Sequence, residues 1–200
     1  ANSKGTLNIQ DSANITSIGL LFIGKGAGTV GTMNISGGTL NANTITIADN
    51  ATATATITQT GGTVNMGNND RIWFANNGSA TWNQSDGTVN GTGWFAIGRN
   101  AGSNATWNVS GGTLNQVSPG NTLILAESGN ATLTISGTGV VDSLGYQIEM
   151  ATRADSTGTL NLNSGGTLRA LQIQDISAGT STINLDGGTL VANTGANASK

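Results

Sequence analysis

The 200-residue chain contains no cysteine and no histidine. The first absence removes disulfide and thiolate chemistry, and the second removes imidazole metal ligation and every Ser-His or Cys-His nucleophile pair. Pro119 is the only proline, which argues against a Pro-rich disordered linker. Charge is thin as well: seven basic and ten acidic residues leave a formal net charge of −3, with no basic face for nucleic acid. No apolar stretch approaches the roughly 20 residues of a membrane span, and no charged n-region precedes an apolar h-region. The chain is therefore expected to be a mature or excised segment, with any signal or sorting sequence outside it. What fills the composition is threonine, asparagine, serine and 31 glycines. That mixture suits strands joined by tight corners and nearly excludes helix.

These residues repeat. The stretch GTMNISGGTLN (31–41) returns as ATWNVSGGTLN (105–115) and STINLDGGTLV (181–191). Taking the residue after each glycine corner as the marker gives Thr39, Thr63, Thr88, Thr113, Gly139, Thr167 and Thr189, at steps of 22 to 28 residues. GTLNIQ near the N-terminus adds a partial eighth copy. A period of this size, with short apolar strands between Gly/Asn/Ser corners, is the signature of a solenoid whose units bury their apolar residues only by stacking on neighbours. Composition does not shift along the chain, so residues 1–200 are expected to form a single domain, with coils over about 5–194 and a short polar tail after them.

Period-two alternation assigns the inward residues of three strands per unit. The first strand contributes Leu21/Ile23, Ile45/Ile47, Ile72/Phe74, Phe95/Ile97, Leu123/Leu125, Ile148/Met150 and Leu171/Ile173. The second contributes Leu7/Ile9, Met33/Ile35, Ile57/Gln59, Trp82/Gln84, Trp107/Val109, Leu133/Ile135, Leu160/Leu162 and Ile183/Leu185. The third contributes Leu40, Val64, Val89, Leu114, Val140, Leu168 and Leu190. Three strands wound in one direction predict an all-β fold, a parallel β-helix of seven to eight turns, right-handed by the crossover rule.

Stacking explains the scarcity of charge, because a repeated like charge would face its own copy at about 4.8 Å. Equivalent sites after the first strand read Lys25, Asp49, Asn76, Arg99, Glu127 and Thr152, which sets Lys25 toward Asp49 and Arg99 toward Glu127. The carboxylates, Asp70 among them, are scattered over different corners rather than gathered over neighbouring coils. No catalytic residue, cofactor site or metal site is assigned, and the chain is expected not to be an enzyme.

Three surfaces stand out. The outward side of the second strand carries a threonine column, Thr6, Thr32, Thr56, Thr81, Thr106, Thr132, Thr159 and Thr182. Beside it run Asn8, Asn34, Thr58, Asn83, Asn108, Thr134, Asn161 and Asn184. Such ladders stabilise stacked strands, and a flat uncharged array of this kind is also suited to lateral packing or to ice or glycan binding. Phe22, Trp73 and Trp94 are expected on the outside of the first strand, a candidate contact for a subunit or a sugar. At the ends, Leu7 and Ile9 on one side and Ile183, Leu185 and Leu190 on the other are candidates for stacking on another copy.

Two stretches, FIGKGAGTVGTMNISGGTLN (22–41) and AIGRNAGSNATWNVSGGTLN (96–115), resemble the short repeat of type V secretion passengers and PEP-CTERM-associated surface proteins. Looser copies cover nearly the whole chain. The resemblance implies a secreted bacterial β-solenoid in a cell-surface or extracellular assembly and implies no activity. The partners expected are therefore self, as a head-to-tail homopolymer, or the rest of a longer solenoid such as an adhesin stalk. A glycan is a third candidate, and neither nucleic acid nor a membrane span is expected.

Overall fold

A computed structural model describes residues 3–66, 71–117, 122–143 and 146–192; Asp70, Pro119 and the polar tail 193–200 lie outside them. The described residues form strands and corners with no helix, and their strand pairings are parallel. Each strand stacks on the copy one turn earlier, for example Asn104–Val109 on the 79–84 part of Ser79–Gly91, so the chain is a parallel β-helix, a β-solenoid.

The core is a narrow column in which like residues stack. Leu7, Met33, Ile57, Trp82, Trp107, Leu133, Leu160 and Ile183 form one unbroken line across the second strands, as the alternation predicted. Trp82 and Trp107 stack nearly parallel, 4.3 Å between ring centroids, with Phe74 and Phe95 tilted against Trp107 at 5.0 and 5.6 Å. Four aromatic rings thus thicken the core in the middle coils, where each ring contributes the largest apolar burial available.

Two inward assignments are corrected. Val141, not Val140, stacks between Leu114 and Leu168 and is buried. The corner before it reads Ser136-Gly137-Thr138-Gly139, one residue longer than Ser110-Gly111-Gly112, so the marker residue is Val140 rather than Gly139. In the last coil Ile173 stacks on Ile148 and Asp175 on Met150, which displaces Leu171 from the pair assigned to it. Both registers keep the alternation, but Leu171 follows Ala170 directly and leaves no room for the turn between third and first strands, whereas Ile173 enters at the same step as Ile45 after Ala42. An aspartate is tolerated there because the site is exposed.

The glycine corners have two physical causes. Gly62 and Gly112 have φ of +70°, and a Cβ on either would overlap the carbonyl oxygen of the corner one turn earlier, Gly37 or Gly87. Only glycine meets both demands, the left-handed backbone and the close approach of stacked backbones. A second left-handed column was not foreseen: Gly24, Ala48, Ala75, Gly98, Ala126 and Ala151 follow the first strand with φ between +47° and +78°. The alanines are fully buried, so each offsets a conformational cost of about 1–2 kcal/mol with a packed methyl.

Candidate functional site

Among the described residues no three His, Cys, Asp or Glu side chains come together in a way that would hold a metal ion. The surfaces with regular chemistry are the polar ladders, the aromatic face and the two ends of the rod.

The second-strand face is as regular as its sequence. The eight threonines stack in one column, with Asn8, Asn34, Thr58, Asn83, Asn108, Thr134, Asn161 and Asn184 in the next. The amide bonding along that second column is broken into pieces. Asn34 donates to Asn8 at 2.8 Å, Asn108 to Asn83 at 2.9 Å, Asn161 to Thr134 at 3.3 Å and Asn184 to Asn161 at 2.8 Å.

Among the described residues the longest amide ladder lies elsewhere, on the outward side of the third strand. Asn65 donates to Asn41 at 2.8 Å, Asn90 to Asn65 at 2.8 Å and Asn115 to Asn90 at 2.9 Å, while Asn41 reaches Asn14 at 3.4 Å. A carboxamide carries both donor and acceptor, so a column of them bonds along the rod axis without charge. The signal was present: the corners continue as GGTLN (37–41), GGTVN (61–65), DGTVN (86–90) and GGTLN (111–115), with asparagine in the same place each time. One coil later the site is Asp142, which pairs with Arg169 on the next coil at 3.6 Å.

The aromatics of the first strand sit under cations. Phe22 and Trp73 are half-buried, whereas Trp94 is 39% exposed. The Lys25 ammonium lies 4.4 Å from the Phe22 centroid, Arg71 is 4.9 Å from that of Trp73, and the Arg99 guanidinium lies over both Trp73, at 5.3 Å, and Trp94, at 4.8 Å. A planar, weakly hydrated guanidinium covers aromatic faces at little desolvation cost. Arg99 also bonds to Glu127 at 3.1 Å, so the charge column brings those two together as expected. Lys25 and Asp49 form no ion pair among the described residues; Asp49 instead accepts from Asn76 at 2.7 Å. Glu127 is buried, and desolvation raises its pKa above the usual value near 4.5 despite the opposing fields of Arg99 and Arg153.

Inside the rod, Gln59 and Gln84 are buried beside the aromatic cluster, in the register assigned from sequence. Their amides bond to backbone carbonyls: Gln84 donates to Gly87 at 3.3 Å and Thr113 at 3.0 Å, and Gln59 to Gly62 at 3.5 Å and Thr88 at 3.4 Å. Each therefore ties its own corner to the coil after it. Gln116, buried and donating to the Gly93 carbonyl at 3.1 Å, is a third such residue that the apolar alternation did not single out.

The ends differ from each other. Ile183 is 45% exposed, Leu185 62% and Leu190 48%, an apolar face at the C-terminal coil. At the N-terminal coil Leu7 is half-buried, but Ile9 is fully buried within its own chain and offers no surface to a partner, contrary to expectation. Ile15, half-buried on the third strand, supplies apolar surface there instead. Comparisons with protein-family models, with curated proteins and with solved structures gave no match to the chain.

Proposed function

We propose that the chain is a structural, extracellular or cell-surface β-solenoid, a rod that stacks head to tail into a filament. One observation carries the reading: the parallel register runs unbroken to the last strands, where core residues stay exposed. Unpaired strand edges with apolar residues behind them template further pairing. Because all strands run parallel, the two ends are complementary rather than identical, and such a contact propagates without closing. Continuing the register sets Ile183 on Leu7 and Leu190 on Ile15 of the next copy, and extends the polar columns as Thr182 on Thr6 and Asn184 on Asn8. The low charge and the Thr/Asn ladders support a stalk-like rather than a catalytic role.

A chain without cysteine lets introduced pairs report this contact free of background. Asn8→Cys combined with Asn184→Cys should give a ladder of disulfide-linked multimers on oxidation, since stacked Cα atoms at about 4.8 Å meet disulfide geometry. Adding Ile183→Lys should abolish the ladder by placing an unpaired charge in a dry seam. If the double-cysteine chain yields no multimers and the parent chain stays monomeric at high concentration, end stacking is wrong. The rod is then a stretch of a longer solenoid, such as an adhesin stalk.

A further inference from the structure

The faces of the rod follow different rules. For most of their length the second and third strands repeat one residue at an outward position, threonine on threonine or asparagine on asparagine, which is all that stacking asks. The first strand does not repeat. One outward column there reads Phe22, Thr46, Trp73, Ala96, Ile124 and Glu149 along the axis. Thr46 and Ala96 point outward on either side of Trp73 yet are buried, at 3% and 0% exposure, so neighbouring side chains lie across the sheet rather than standing off it. A column that changes from coil to coil builds no ladder of like groups, and its chemistry is open to something other than the stack.

We infer that this face holds a carbohydrate site centred on Trp94, and that its ligand is a pyranoside bearing a carboxylate, a uronate unit of an acidic glycan. Four side chains build the site. Arg71 lies over Trp73 at 4.9 Å, and Arg99 lies over Trp73 and Trp94 at 5.3 and 4.8 Å, so guanidinium and indole alternate. Arg99 is also tied to the buried Glu127 at 3.1 Å, which holds the array in place before any ligand arrives. Trp94 stays 39% exposed, whereas Trp82 and Trp107 are sealed in the core and Trp73 is half-buried. A pyranose offers an apolar C–H face to an indole and a rim of hydroxyls to polar neighbours. Guanidiniums already fixed on aromatic faces complement a carboxylate on that ring, because little side-chain freedom is lost when they bind it. Glu127 answers the charge of Arg99, and the exposed Arg71, opposite Trp94 in register, brings a second positive charge to the same place. Asp49 accepts from Asn76 at 2.7 Å. Glu149 lies three coils from Arg71, about 14 Å along the axis and beyond a screening length of about 10 Å. An acidic sugar on Trp94 therefore meets net positive charge.

The test titrates trigalacturonate and the neutral maltotriose into the chain by calorimetry. Trigalacturonate is expected to bind the more tightly, with an affinity that falls as salt rises. Bound sugar should also shield Trp94 from acrylamide, a quencher that does not reach the buried Trp82 and Trp107. Trp94→Ala should weaken trigalacturonate roughly tenfold, with Trp94→Phe recovering part of the loss by restoring a ring. Arg71→Gln should weaken it roughly threefold, the scale of an exposed charge pair, and leave maltotriose unchanged. Asn108→Ala, on the second-strand face, should bind as the parent does, and unchanged circular-dichroism melts separate loss of binding from loss of fold. If neither sugar binds, or if Trp94→Ala binds like the parent, this face is not a glycan site. Equal affinity for the two sugars, unaltered by Arg71→Gln, would overturn the uronate assignment. If raising the protein concentration alone shields Trp94, the face is a contact between copies and the proposal falls. The site uses neither end of the rod, so each of these outcomes leaves end stacking as it stands.

Discussion

At the residue scale, the most consequential single group is Glu127, a buried carboxylate held against Arg99. Its folded pKa is raised above the usual value near 4.5, first by desolvation, so the folded state binds more protons than the unfolded state in the window above that value. Stability then falls as pH rises through the window: the contribution is fully present below the unfolded pKa and is lost above the folded one. Glu127→Gln removes the titration, and its unfolding free energy should decline less than that of the parent as pH rises above about 4.5 in urea melts. Equal declines would show that the Arg99 and Arg153 fields cancel the burial completely. The same residue illustrates how a charge is admitted to a stack at all. One carboxylate meets one guanidinium on the neighbouring coil, and the aromatic rings of Trp73 and Trp94 lie against the guanidinium face.

At the scale of the element, the corners carry more specificity than the strands. Gly112 and Gly102 both have positive φ, +70° and +82°, but a Cβ at Gly112 would strike the Gly87 carbonyl whereas one at Gly102 meets nothing within 4 Å. Gly102→Ala should therefore cost only the left-handed penalty of about 1–2 kcal/mol. Gly112→Ala should cost that and the displacement of a stacked backbone as well, so its denaturation midpoint should fall further at an unchanged slope. If the two variants have the same midpoint, the close approach of corner backbones contributes nothing. The strands between corners are held redundantly. Those of the interior coils carry ladder bonds on both edges, and on the third strand the Asn41–Asn65–Asn90–Asn115 amides add a second set along the axis.

At the scale of the molecule, contacts are confined to adjacent coils, so stability is distributed as in a one-dimensional stack rather than concentrated in one core. Burial is deepest where Phe74, Trp82, Phe95 and Trp107 meet, and weakest in the last coil, where Ile183, Leu185 and Leu190 are exposed. Amide hydrogen exchange should be slowest in the strands Arg71–Phe74 and Asn104–Val109 and fastest in Gln172–Asp175 and Thr189–Ala192. In the filament the terminal strands should gain the protection of interior ones. Uniform exchange along the isolated chain would mean that the rod opens only as one unit.

The period, the three strands per turn, the threonine column and nearly all inward residues were legible in the sequence, because a parallel stack places identical chemistry in identical places and makes period-two alternation coherent over the whole chain. The asparagine of GGTLN was equally legible, and only its bonding into a ladder needed coordinates. What the tertiary structure alone decided are the places where corners change length. Val141 rather than Val140, and Ile173 rather than Leu171, enter the stack because one extra corner residue, or the room needed for a turn after Ala170, shifts the strand without disturbing its alternation. It also decided what lies over the outward groups. Nothing in the order of residues says that Arg99 folds back across Trp73 and Trp94, or that Ile9 is sealed within its own chain, since both depend on how side chains from separate turns share one surface.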